Sequence, residues 1–171
     1  MKYDALIISF FVALLVSAPP SLWADEVSAS CIISDARIFG SSLEPIVERG
    51  SVLRVAKGEC SIEIERNSLV LFRSGAMSKP IIKQVRGLGG DTLELKDGNV
   101  LVNEKKLSTA TGKPFSLSEE RQAVLHMYVR DYNGIIPENT FLLLGTNPAG
   151  ALDSTRLGLI HRNDIIGVVK P

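Results

Sequence analysis

Beyond its first two dozen residues the chain is cut into short apolar runs, each closed by glycine, proline, asparagine or aspartate. This rhythm excludes most helical architectures. Ser30 to Ile38 is short and mixed and reads as a strand. Val52-Leu53-Arg54-Val55 alternates as a half-buried strand should, and Ser61 to Glu65 alternates again with Ile62 and Ile64 inward. Leu69-Val70-Leu71-Phe72 and Phe141-Leu142-Leu143-Leu144 are continuous apolar runs, the pattern of strands buried on both faces. Ile81 to Val85, Thr92 to Leu95, Val100 to Val102 and Asp164 to Val169 add four more. Glu48-Arg49-Gly50, Asp97-Gly98-Asn99, Asn103-Glu104 and Asn133-Gly134 are turns, because glycine and asparagine tolerate positive φ. Ser116-Leu117-Ser118-Glu119 has the wording of a cap for a short helix, but Val129 and the aromatic residues of Val124 to Tyr132 favour a strand there. The expected fold is mainly β: antiparallel sheets or a partly open barrel, with little helix beyond the N-terminal segment.

That N-terminal segment sets the compartment. Met1-Lys2-Tyr3-Asp4 precedes an apolar run from Ala5 to Ala18, then Pro19-Pro20 and a small residue at Ala24. One cation, a short apolar core, a helix-breaking pair and a small residue are the parts of a secretory signal peptide. Counted on to Trp23, the run approaches the roughly 20 residues that span a bilayer, so an uncleaved anchor is the alternative. Residues 1–24 are therefore a signal peptide or an anchor, and 25–171 form one domain. The domain is expected to be exported, either periplasmic or attached to the periplasmic face of the inner membrane. Across the 171 residues, 19 Lys and Arg balance 19 Asp and Glu, so no basic excess points to nucleic acid and no acidic tail to disorder.

Cys31 and Cys60 are the only cysteines, and both fall in the exported part. An even pair in an oxidising compartment reads first as one disulfide, worth ~3 kcal/mol through loop entropy; two free thiols are the alternative. Val27-Ser28-Ala29-Ser30 lacks the leucine expected before a lipidated cysteine. Two cysteines and two distant histidines make a poor metal site, and no cofactor is expected.

Two side chains carry chemistry. Phe39-Gly40-Ser41-Ser42-Leu43-Glu44-Pro45 places a hydroxyl in a bend that Gly40 opens and Pro45 closes. Taken alone, that wording is an ordinary turn. Lys83 lies among Ile81, Ile82 and Val85 in a strand that otherwise reads as buried, whereas an arbitrary lysine sits on a solvent face.

Three segments occur in order: Gly40 to Pro45, then Ile82-Lys83-Gln84-Val85-Arg86-Gly87-Leu88-Gly89-Gly90-Asp91, then Gly145-Thr146-Asn147 through Asp153-Ser154 to Gly158. Together they resemble the type I signal peptidase family (S26), membrane-associated proteases with a Ser/Lys dyad. The resemblance covers the chain after its export segment. Its size and the Arg86 to Asp91 wording look closest to the conjugative-transfer, TraF-type members, which process pilin precursors. The resemblance implies Ser42 as nucleophile and Lys83 as general base. Ser-Lys pairs are a variant of the Ser-His-Asp arrangement, and a lysine serves as base only where burial strips its proton. The Ser42 N–H would hold the oxyanion. Some members add a serine hydroxyl two positions before the nucleophile; here that position is Gly40, leaving the backbone or Ser41. In the third segment Asp153 matches and Ser154 is a candidate local hydroxyl. Ala151 replaces the usual serine, and Thr155 stands where an arginine is usual, with Arg156 displaced by one. Thr146 replaces an aspartate, and Leu43 a methionine. Neither His126 nor His161 lies in a matching motif.

The leading expectation is a serine endopeptidase that cleaves exported precursors, a signal peptide or a pilin precursor, after small residues selected by shallow apolar pockets. Either hydrolysis or transfer to an internal amine is compatible with it. An inactive periplasmic assembly protein keeping the fold is the alternative, motivated by Gly40, Ala151 and Thr155. A self-cleaving repressor would need a DNA-binding domain and a cytoplasmic address, which the export segment opposes.

Overall fold

The computed structural model describes residues 32–58, 63–75 and 77–170. The export segment 1–24, Cys31, Cys60 and Ile62 lie outside the described residues. In chain order the strands begin with β1 (Ile32–Arg37), β2 (Val52–Lys57), β3 (Leu69–Phe72) and β4 (Ile81–Gly87). A small meander follows: β5 (Leu93–Lys96), β6 (Asn99–Val102) and β7 (Lys105–Lys106). Then come helix α1 (Glu119–Asp131), β8 (Thr140–Leu144), the single turn α2 (Ser154–Leu157) and β9 (Ile160–His161). A 3-10 turn over Arg162–Asp164 leads into β10 (Ile165–Val169).

Seven strands form one antiparallel sheet in the order β1-β2-β10-β3-β4-β8-β9, and β5-β6-β7 form a second. The mainly β expectation is met. The turns fall where glycine and asparagine were read. Asp97 and Gly98 take φ of 50° and 76° between β5 and β6, and Asn103 and Glu104 take 50° and 63° before β7. Two consecutive residues with positive φ make the type I′ geometry that matches strand twist.

Two expectations fail. Val124 to Tyr132 is not a strand but most of α1. The residues Glu119 to Met127 are rich in strong helix formers, and Arg121, Leu125, Tyr128 and Val129 fall on one face that packs inward. This outweighs the β preference of two valines and the tyrosines. Asn133 and Gly134, both with positive φ, follow the helix end. The described part of the expected Ser61 to Glu65 strand, Glu63 to Glu65, is irregular, although Ile64 is buried.

The core has three clusters. One joins the second sheet to α1 through Leu93, Val100, Phe115, Leu125, Leu142 and Leu144. Another holds Val70, Phe72, Val85, Phe141, Leu143 and Val168. The third gathers Ile38, Leu43, Val47, Val55, Leu71 and Ile82. Strand β8 serves two of them by alternation: Leu142 and Leu144 face the first cluster, Phe141 and Leu143 the second.

The Gly87 to Asp91 stretch after β4 is a structural knot. A Cβ at Gly89 would lie 3.0 Å from Glu138 Cα, and Gly90 has φ of 85°. Asp91 accepts from the Leu88 N–H at 2.6 Å, from Asn103 Nδ2 at 2.7 Å and from Arg66 at 2.8 and 2.9 Å. Burial alone would raise its carboxyl, but these donors together hold it below the usual carboxylate range. Asp91→Ala is expected to cost about 2 kcal/mol in denaturant unfolding, the scale of losing hydrogen bonds to a charged acceptor. Because the folded-state value is lowered, the difference between wild type and variant should be complete above about pH 4 and vanish as the pH falls through the lower value.

Candidate active site

The Ser42 bend is held from below. Ile38 N–H donates to Ser51 O at 2.9 Å and Gly50 N–H to Ile38 O at 2.8 Å, closing the loop at its base. Within it, Glu44 N–H bonds Ser41 O at 3.1 Å and Val47 N–H bonds Leu43 O at 3.0 Å. The Glu44–Pro45 peptide is cis. Leu43 is 2% exposed and shares its core cluster with Ile82. The chain neighbours of Ser42 and Lys83 are thus packed into the same apolar layer, and this fixes how the two side chains meet.

They meet at hydrogen-bond distance: Lys83 Nζ lies 2.7 Å from Ser42 Oγ. Nζ also donates to Ile82 O at 3.1 Å. Lys83 is 3% exposed, and among the described residues no carboxylate forms an ion pair with it. Burial pushes its amine below the usual lysine value, and the nearby Asp153 charge only partly opposes this. A neutral amine has one lone pair and two N–H donors. It can accept from a hydroxyl while donating to a carbonyl, which is the set of partners found here.

The third segment reaches the bend through its backbone. The last register pair of β8 with β4 is Leu144 opposite Gln84, so Gly145 and Thr146 continue over the site. Thr146 N–H donates to Ser42 O at 2.7 Å, and Thr146 Oγ1 donates to the carbonyls of Ser42, at 3.1 Å, and of Glu44. Asp153, fully buried, accepts from Gly145 N–H at 3.0 Å. It also caps α2, accepting from Thr155 N at 3.1 Å and Thr155 Oγ1 at 2.6 Å.

Of the residues singled out in the sequence, Ser42, Lys83 and Asp153 come together. Ser154 is buried, but its Oγ accepts from the Leu143 N–H at 2.9 Å, so it fastens α2 to β8. Ser41 is exposed and contributes its carbonyl to the turn. Gly40 is exposed and outside the left-handed region, and a Cβ there would meet nothing within 4 Å. The bend therefore does not need glycine at 40, contrary to the sequence reading. None of the described hydrogen bonds uses the Ser42 N–H. An open cavity of about 300 Å³ adjoins the bend, lined by Glu44, Pro45, Thr109, Lys113, Thr146 and Asn147 among others, a mixed rather than apolar wall. His126 and His161 are both exposed.

Sequence reasoning missed Arg121. It is 5% exposed on α1, and it bonds Ala151 O at 2.8 Å, Asp153 Oδ1 at 3.2 Å and Thr155 Oγ1. Its one signal is the i, i+4 spacing from Leu125, visible only once the segment is read as a helix.

Gly145 is the tightest point of the site. A Cβ there would lie 2.7 Å from both Ser42 O and Ala151 Cβ. Gly145→Ala is expected to lower stability by about 2 kcal/mol through overpacking and to drive Ser42 off Lys83. Thermal unfolding and a crystal structure of the variant would check both; an unmoved Ser42 Oγ would contradict the second.

Comparison with known proteins assigns the family. The family model "Signal peptidase, peptidase S26" matches residues 5–171. Signal peptidase I V of Bacillus subtilis (strain 168) is 29% identical over 144 residues, covering 82% of this chain and 85% of that protein. Signal peptidase I of Streptococcus pneumoniae serotype 4 is 27% identical over 166 residues, covering 80% of each. Signal peptidase I of Bacillus licheniformis is 28% identical over 169 residues, covering 95% of this chain and 82% of that protein. This chain belongs to the signal peptidase (S26) family of serine peptidases, which process exported precursor proteins.

Proposed function

We propose that the chain is an endopeptidase in which Ser42 is the nucleophile and Lys83 the general base, acting on exported precursors after small residues. The observation that carries this reading is the buried Lys83 amine, 2.7 Å from Ser42 Oγ and paired with no carboxylate among the described residues. In the first half-reaction Lys83 takes the Ser42 hydroxyl proton as Oγ bonds to the scissile carbonyl carbon. The carbonyl electrons become an oxyanion facing the Ser42 N–H. Collapse breaks the C–N bond, and Lys83 returns the proton to the leaving amine. In the second, Lys83 takes a proton from water as its oxygen bonds to the acyl carbon; the carbon–Oγ bond then breaks and Lys83 returns the proton to Ser42 Oγ, restoring the hydroxyl and the neutral amine.

The Arg86 to Asp91 wording supports a narrower substrate, a pilin precursor in a conjugative-transfer system. There an internal amine could replace water and release a cyclic product with the same proton balance. The cavity beside Glu44, Pro45 and Thr146 is a place for the polypeptide flanking the cut. The working position is the exported side of the membrane, with residues 1–24 as signal peptide or anchor ahead of one domain over 25–171; the mass of the mature N-terminus separates the two.

Ser42→Ala and Lys83→Met should each lower kcat on an Ala-X-Ala junction peptide by at least about 10³-fold. Lys83→Met should leave the melting temperature unchanged or raise it, since a buried amine gives way to an apolar chain of similar length. Processing that persists in either variant would refute the dyad, whereas loss in both with folding intact ends the assembly-protein alternative. Wild-type kcat/KM should rise with pH and level off above the lowered Lys83 value, reaching its plateau below the ordinary lysine range near 10.4. A rate flat from acid to alkaline pH would remove lysine from the mechanism.

A further inference from the structure

We propose that Arg121 is a positioning residue for this site: delivered by α1, its guanidinium is the counter-ion that anchors Asp153 and keeps that carboxylate from recharging the Lys83 amine. The inference rests on the Ser42 and Lys83 reading above and adds a residue that lies between the second and third motifs and in neither.

A fully buried carboxylate beside a lysine that must stay neutral is a liability, because an uncompensated anion favours the ammonium form. The resemblance expects an arginine two residues after the aspartate, but Thr155 stands there, and Arg156 is exposed. Arg121 fills the role from another element. Its Nη2 donates to Asp153 Oδ1 at 3.2 Å, to Ala151 O at 2.8 Å and to Thr155 Oγ1, and Nη1 donates to Ala149 O at 3.4 Å. One buried group thus ties together residues 149, 151, 153 and 155, at the start of α2 and in the loop before it. Its Nε is buried and has no hydrogen-bond partner among the described residues.

The chain of contact runs on to the nucleophile. The other oxygen of Asp153 accepts from Gly145 N–H at 3.0 Å, and Gly145 abuts Ser42 O. Few other charges face the lysine. Strands β3 and β8, on either side of β4, carry no ionisable side chain. On the bend, Glu44 is exposed and its carboxylate accepts from Arg49 N–H. On β4 itself Arg86 reaches Ser108 O, and Glu119 and Glu120 of α1 are exposed. Asp153 and Arg121 are the buried charges left to set the balance.

The test is the titration of Lys83 itself, which needs no substrate. In protein labelled with [ε-¹³C]lysine, the Lys83 signal is assigned by its loss in Lys83→Arg. Arg121→Gln keeps donors but removes the charge, and should raise the Lys83 midpoint by about one pH unit. Arg121→Lys keeps the charge and should hold the midpoint within about 0.3 units of wild type. Asp153→Asn combined with Arg121→Gln should return it to the wild-type value or below, the coupling expected of one charge pair. An unmoved midpoint in Arg121→Gln, or equal shifts in the Gln and Lys variants, would overturn the proposal. Should Arg121→Gln fail to fold, Asp153→Asn alone decides: a lower midpoint supports the charge balance, an unchanged one defeats it. Cleavage retained by Ser42→Ala would instead defeat the dyad and leave these titrations standing.

Discussion

A primary amine kept out of water is the constraint that the other features answer to. Lys83 sits on β4 inside a seven-stranded sheet, between β3 and β8, and among the described residues no carboxylate is bonded to it. An ammonium there gives up hydration without an ion pair in return among the described residues, so burial holds the amine below the usual lysine value. Everything that shields the amine therefore contributes to its reactivity. Val70, opposite Lys83 in the register of β3 with β4, and Val85, two residues further along β4, both have zero exposure.

The second requirement is register between two segments 41 residues apart. The protein meets it with apolar packing one residue away from the chemistry. Leu43 and Ile82 settle into one cluster, and the hydroxyl and amine next to them are carried into contact. Polar stitching then locks the arrangement from above: Thr146 bonds the Ser42 carbonyl twice, and Asp153 holds the strand end that delivers Thr146. Such preorganisation puts the cost of ordering into folding rather than into the reaction.

How much of this was legible depended on the kind of signal. Strands β3, β4 and β8 could be read because buried strands need unbroken apolar runs, and the hairpins because positive φ selects glycine and asparagine at Asp97-Gly98 and Asn103. The helix α1 was misread because its inward face is carried by only Leu125, Tyr128, Val129 and an arginine, too few to outweigh the valines and aromatics by eye. Ser42 and Lys83 are singled out by the wording around them, but that wording does not mark Arg121, whose partners are backbone carbonyls, the Thr155 hydroxyl and an aspartate 32 residues away. The Gly-Leu-Gly-Gly-Asp stretch carries no group that touches the dyad in the described bonds; its glycines and Asp91 are needed to turn the chain out of β4. Motif residues near a reacting group are thus divided between chemistry and scaffolding, and only packing distinguishes them.

The position of β10 has a further consequence. It is the last strand in the chain, yet it lies between β2 and β3 and pairs with both. Until Ile165–Val169 is available, the first two strands have no edge on β3, and the layer formed by Leu43, Val55, Leu71 and Ile82 is open. The sheet is therefore complete only when Ile165–Val169 takes its place between β2 and β3. Joining β2 to β3 thus falls to a segment far beyond both in the sequence, so the sheet closes on a long-range pairing, the kind that forms slowly.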